Sequence, residues 1–532
     1  MACDEGRVVP TGTQPGVRRD AGTSTPADAA QQAALDDAGL DAQPSADAQA
    51  GLDALAPGLD ARPNPDAQGG FPDAAINPGG ILLARDITLE HVALFQTVRI
   101  ALVDNGTEPR PRNGPVIAER DALVRLYVRP GAGWTRRDVT GVLVINGVEH
   151  RETVSIGGVS AEGQASTLFG FDVPGNEIRE GVTWSAWLEN AGGAMVAAGV
   201  ADNARWPRAG GTTALRAQND GGGLKLVLVP IEYATDGSNR LPDTSAAQLA
   251  RYRGLLEALY PIAHLDLTVH TPVRWTRGLT LSGNFNFGAA NDMLIDLRVT
   301  DRVADDVYYY ALVAPDTSFN TYCGGGCVTG QSYVPEDPTD GELRVGSGVG
   351  FTGDDSGWTM IHEVGHTHGR FHAPCDVDGW DADYPYTNGD VGVWGYDARD
   401  GSLVAPNIGF SDFMGYCNDQ WVSDYTYAAI FERIIEQRGG TVIRREIPWL
   451  ARAVTIDPQS GIAVAEPVRF WKHRPSGPSA MVTFLDPLGR VIGMGDATRL
   501  TRSHETDQRW VIGDPPGRAV RARIAGVGVV EL

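Results

Sequence analysis

The sequence predicts a multidomain chain, in which a mixed α/β unit is flanked by an N-terminal β-sandwich and a small C-terminal β domain. Three observations predict it. At 532 residues the chain is too long for one ordinary domain. Short alternating apolar runs, separated by glycine-containing breaks, fill residues 90–210 and recur after residue 446. Between them, strand-like and helix-like apolar patterns alternate, as in α/β proteins. The changes of pattern divide the chain at 1–85, 86–215, 220–445 and 446–532.

The first segment is Ala, Asp, Gln, Pro and Gly with almost no aromatics, and Gly-Leu-Asp-Ala recurs at Gly39, Gly51 and Gly58. Nine Asp against one Arg between Ala21 and Ala75 make it self-repelling. Such a chain buries too little apolar surface to offset its ordering entropy, so a disordered tether is expected. The start, Met1-Ala2-Cys3, resembles that of a mature bacterial lipoprotein and makes Cys3 a candidate for lipidation. No apolar run is long enough for a transmembrane helix. A formal charge of −23 argues against nucleic acid and against adhesion to anionic lipid. A monomer, secreted or anchored at the cell surface, is expected.

The runs Gln96–Val103, Ala122–Val128, Val139–Ile145, Thr153–Ile156, Thr167–Val173 and Val182–Leu188 read as the strands of an immunoglobulin-like sandwich. Leu224–Ile231 suits a largely buried strand. Thr244 or Ser245 caps a helix that carries Leu249, Tyr252, Leu256 and Leu259 on one face. Leu265–Val269, Met293–Leu297 and Val307–Val313 are further strand candidates, and Gln331–Val334 and Leu343–Val349 are two more. Val468–Trp471, Met481–Leu485 and Val520–Ile524 mark the C-terminal β domain.

The chemistry sits in Trp358–His372. His362 and His366 are four residues apart, which on a helix is a rotation of about 40° and a rise of about 6 Å, so both imidazoles leave one face. Two such nitrogens take adjacent corners of a zinc tetrahedron. Glu363 points about 100° away, where it meets a metal-bound water as general base rather than the metal. Gly369 adopts the left-handed backbone that stops the helix and turns the chain, which brings His372 back as third ligand. Three protein ligands leave one position open for water. His368 lies about 200° round the helix from His366 and is expected to be exposed or to support the ligands without binding the metal.

The full pattern, His-Glu-x-x-His-x-x-Gly-x-x-His at 362–372, resembles the motif of the metzincin clan of zinc endopeptidases. Ser411-Asp-Phe-Met414-Gly-Tyr416-Cys417 is similar to the clan's methionine turn. The resemblance implies a metzincin-like catalytic domain with one catalytic zinc ion. It makes Met414 an apolar floor beneath the ligands, and gives Tyr416 the role of hydrogen-bonding the oxyanion of the tetrahedral intermediate. It also implies that an upper edge strand, for which Gln331–Val334 and Leu343–Val349 are candidates, pairs with extended substrate. A helix after the turn is expected with Tyr427, Ile430, Phe431 and Ile434 on its core side, capped by Ser423 or Asp424. Both Cys375 and Cys417 flank the metal segments, so their disulfide is ranked first of three pairings, with Cys323–Cys327 closing a small loop. The acidic run Asp376, Asp378, Asp381 and Asp383 lacks EF-hand spacing, and a solvated loop is favoured over a calcium site.

The function these residues imply is hydrolysis of extracellular protein, with glycoproteins among the candidate substrates. The alternatives are a surface adhesion or glycan-binding lipoprotein with a vestigial zinc unit, against which Glu363 counts, and a zinc hydrolase of a non-peptide bond.

Overall fold

In the computed structural model, residues 82–191, 202–280, 283–377, 379–406, 408–417, 419–439, 449–457, 460–472, 474–504 and 507–532 are described. Cys3, the acidic tether and Asp378 lie outside them.

The N-terminal alternation builds two antiparallel sheets. One runs in spatial order Ser402–Val404, Gly395–Asp397, Val98–Val103, Ile87–Gln96, Ala122–Pro130 and Phe169–Val173. The other runs Thr213–Ala214, Thr183–Asn190, Arg137–Ile145 and Val148–Ile156, with Arg205–Trp206 added on Thr183–Asn190. Leu89, Val92 and Leu94 of the first sheet share an apolar core with Val139, Leu143 and Trp184 of the second. The expected run Gln96–Val103 is instead two strands, folded back at Thr97, whose φ is 77°. Thr97 is buried, and its hydroxyl donates to the Ala258 carbonyl at 2.6 Å, so this corner grips the next unit. The two short strands Gly395–Asp397 and Ser402–Val404 come from beyond the histidine motif and extend the N-terminal sheet.

The central sheet runs Leu265–Val269, Leu224–Tyr233, Val307–Val313, Val345–Val349 and Gly330–Ser332, with Val273–Trp275 also on Leu224–Tyr233. All pairings are parallel except the last, so Gly330–Ser332 is an antiparallel edge strand. Alternate side chains serve opposite faces. Leu226, Leu228, Tyr310 and Leu312 pack with the helices Ala246–Leu259 and Asp354–Thr367. On the other face, Val229, Ile231, Ala311 and Val345 pack with Phe287–Asp301. Ser245 is the cap of Ala246–Leu259, accepting from the Gln248 amide. The expected strand Met293–Leu297 lies inside the helix Phe287–Asp301, where Asn286 caps the start by accepting from the Ala289 amide. A five-residue apolar run carries too little periodicity to separate strand from helix. Here the cap and the buried Ala290, Leu294 and Ile295 decide for helix.

The C-terminal strands form one antiparallel sheet, in the order Ala463–Ala465, Trp449–Ile456, Gln508–Gly513, Val491–Leu500, Ser479–Leu485, Arg521–Ile524 and Gly528–Glu531. Its first and last strands approach each other, so the sheet curls almost to closure around Val454, Val482, Phe484 and Ile512. This unit does not hang free. Ala451, Trp471, Leu500 and Val511 join the same apolar cluster as Phe287, Leu294 and Tyr333. The junction is also ionic. The buried guanidinium of Arg509 meets Asp292 at 2.9 Å and Glu466 at 2.7 Å, and the Tyr333 hydroxyl donates to Asp292 at 2.7 Å.

Removing Arg509 takes the nearest cation from Asp292, which is largely buried, and from the part-exposed Glu466. Arg509→Met is expected to destabilise the docked C-terminal unit by about 3–5 kcal/mol, read as a lowered urea midpoint. An unchanged midpoint would remove this contact from the junction.

Candidate metal centre and catalytic residues

The helix Asp354–Thr367 opens with Asp354 and Asp355 in its first turn, where carboxylates meet the positive end of the helix dipole. It ends in a Schellman arrangement. Gly369 has a φ of 78°, its amide donates to the His366 carbonyl at 2.8 Å, and the Arg370 amide donates to Gly365 at 3.3 Å. The turn does more than stop the helix. It aims the Arg370 carbonyl at His366, whose Nδ1 donates to it at 2.7 Å.

His372 follows this reversal and is fixed from below. The Ala373 amide donates to the Met414 carbonyl at 3.0 Å, and the Tyr416 amide donates to Cys375 at 2.9 Å. The disulfide Cys375–Cys417 closes the same pair of segments, and a second disulfide joins Cys323 to Cys327. The methionine turn is shaped by buried Asp412, which accepts from the Met414 amide and from both the amide and hydroxyl of Ser423. Ser423 then caps the helix Asp424–Gly439, accepting from the Thr426 amide at 3.0 Å. Tyr427, Ile430, Phe431 and Ile434 are buried on that helix.

These supports converge on three nitrogens. His366 Nε2 lies 3.0 Å from His362 Nε2 and 3.2 Å from His372 Nε2. His362 Nδ1 donates to the Phe413 carbonyl at 2.7 Å. Because Nδ1 carries the proton on His362 and on His366, their Nε2 lone pairs point at each other with no hydrogen between them. Such an arrangement is repulsive unless a cation sits among the lone pairs. Four ligands about 2.0–2.1 Å from a zinc ion stand about 3.3 Å apart at tetrahedral angles, close to the spacing here. The donor set therefore fits zinc. Burial, with the charges of the neighbouring histidines, lowers the pKa of His366 well below its ordinary value and pushes that of His372 down to about 2. Burial also lowers His362, against the opposing pull of Glu363. All three rings are held neutral, the form that binds metal.

Glu363 is buried beside the ligands, and the Tyr416 hydroxyl lies 3.1 Å from His372 Nε2. Burial, reinforced by the Glu363 charge, raises the pKa of Tyr416, so its hydroxyl keeps its proton. Met414 is buried beneath the motif helix against Gly365. His368 is neither exposed nor next to the ligands. It is buried, stacked on Tyr308 with centroids 4.4 Å apart, and donates from Nδ1 to the Val364 carbonyl at 2.8 Å. Burial pushes its pKa down to about 3. The direction from the helix was right, but an aromatic pocket from a distant strand makes it a core residue. Of the acidic run, Asp381 is tied to Arg370 at 3.0 Å and to the Tyr425 hydroxyl at 2.9 Å, which serves the turn after the motif.

One further residue at the site has no signature in the sequence. His504, from the C-terminal unit, joins His362, His366 and His372 in a cluster whose ligand nitrogens all lie within 4.8 Å of one another. Nothing in its neighbourhood, Arg502-Ser503-His504, has ligand spacing, because its partners are supplied by a separate helix and the turn that follows it.

A Cβ on Gly365 would stand 2.5 Å from the Met414 sulfur and 3.1 Å from the Phe413 ring. Gly365→Ala is expected to cost about 1–3 kcal/mol through overpacking, read by chemical denaturation, with weaker zinc retention against a chelator. An unchanged zinc affinity would show that the methionine floor does not position the ligands.

A comparison with protein families finds Peptidase M66, a metallopeptidase family, over residues 337–426. No curated protein matches the chain. The matched stretch holds the three histidines, Glu363, Met414 and Tyr416; the match supports a peptidase role, and the histidine cluster is one that could bind a metal.

Proposed function

We propose that the chain is a zinc-dependent endopeptidase of the metzincin type, acting on extracellular proteins. The observation that carries this reading is the convergence of the Nε2 atoms of His362, His366 and His372, at 3.0 and 3.2 Å, beside Glu363 and Tyr416. The three motif histidines by themselves leave a fourth position for water, as a catalytic site requires. When bound, zinc supplies a lowered pKa for that water and polarisation of a carbonyl. Glu363 takes the proton of the attacking water and returns it to the leaving amine. Tyr416 donates its hydroxyl proton in a hydrogen bond to the oxyanion that develops on the scissile carbonyl. The two disulfides suit an oxidising compartment, which supports extracellular substrates.

Glu363→Gln keeps the shape of the buried side chain and removes the base. Zinc stoichiometry should stay at the wild-type level, while hydrolysis of casein and of a mucin falls by about 10²–10⁴. Hydrolysis at the wild-type rate would rule out Glu363 as base.

A further inference from the structure

The edge strand of the central sheet is already paired. The segment Thr501–His504, which leaves the C-terminal strand Val491–Leu500, lies along it in the antiparallel sense with Tyr333 opposite Arg502. The Val334 amide donates to the Thr501 carbonyl at 2.9 Å, and the Ser503 amide donates to Ser332 at 2.8 Å. Gln331 holds the end of the segment, donating from its side chain to the carbonyls of Ser503 and His504 at 3.0 and 3.2 Å. This is how an extended peptide adds to a free sheet edge.

The tip of the segment reaches the chemistry. The Ser503 hydroxyl donates to one carboxylate oxygen of Glu363 at 3.0 Å, and His504 Nε2 lies 3.2 Å from the other. The same imidazole stacks on the Tyr416 ring, with centroids 5.4 Å apart, and its Nδ1 hydrogen-bonds the Tyr416 hydroxyl. Two consecutive residues thus hold both oxygens of the base and the hydroxyl assigned to the oxyanion. His504 does so with a φ of 52°, a backbone conformation that side-chain-bearing residues rarely adopt and that its contacts must maintain.

We propose that Thr501–His504 is a built-in competitor of substrate, which pairs along the edge strand and lays His504 across the open side of the metal site, against Glu363 and Tyr416. The inference rests on the peptidase reading for what is being inhibited, but not for the occlusion it predicts. A histidine that assisted turnover would have to leave the groove open. This one arrives on a strand that occupies it. The strap is well anchored: Arg502 pairs with Asp507, and the shared apolar cluster and Arg509 seat the whole C-terminal unit. Activation therefore requires the strap to lift, by cleavage or by a partner that takes the C-terminal unit.

The test uses the full chain with cobalt(II) replacing zinc, in wild type, His504→Ala and Ser503→Pro, the last of which removes the amide that donates to Ser332. The visible spectrum of the wild-type cobalt site should be unresponsive to a small hydroxamate, and both variants should become responsive. With zinc, cleavage of an unstructured peptide should rise by about tenfold or more, since a tethered competitor acts at roughly millimolar effective concentration. Equal hydroxamate affinity in wild type and His504→Ala would overturn the proposal. So would a fall in peptide cleavage in His504→Ala with the cobalt spectrum unchanged. If hydroxamate binding opens in the variants but no peptide is cut by any form, the strap stands and the peptidase reading fails.

Discussion

Everything around the site answers one electrostatic constraint: three imidazole nitrogens must be held about 3 Å apart with their lone pairs facing inward. Left alone the rings would turn away or take up protons. The protein prevents the first by giving His362 and His366 a backbone carbonyl at Nδ1, from Phe413 and Arg370. Burial prevents the second, because a charged imidazole in that place lacks solvation. Both carbonyls belong to sharp turns. The helix-ending turn at Gly369 and the methionine turn held by Asp412 are therefore orienting devices for the ligands as much as chain reversals.

Those turns need a rigid surround, and the flanking units supply it. The N-terminal sheets share their apolar core with the helices beneath the central sheet, and Thr97 and Trp421 lock that boundary, the Trp421 indole donating to the Thr97 carbonyl at 3.2 Å. The C-terminal unit shares the opposite core and adds Arg509. Chain order separates these regions, but packing merges them. Two short strands from beyond the motif complete an N-terminal sheet, and a C-terminal segment completes the central one. Because the central unit borrows strands in both directions, a segment as remote in sequence as Arg502–His504 reaches Glu363.

Helical spacing in the sequence was enough to put His362 and His366 on one face, to turn Glu363 aside, and to demand a left-handed glycine before His372. These are local consequences of 3.6 residues per turn and of glycine's missing Cβ, so no tertiary information was needed. The cap at Ser245 and the core face of Asp424–Gly439 were legible for the same reason. Where a run was short, as at Met293–Leu297, periodicity could not separate strand from helix, and the fold of Gln96–Val103 at Thr97 was invisible because a non-glycine residue takes the positive φ.

Tertiary structure alone decided the environment of His368, the docking of the flanking units and the fourth histidine. Each depends on side chains brought together from distant strands, and a linear pattern carries no record of which strand lies beside which. The sequence by itself determined which face His362 and His366 share and where the chain turns before His372, because a helix and one glycine turn generate that spacing. Only the folded molecule decided what faces that geometry from across the groove, because the opposite wall is built by another sheet.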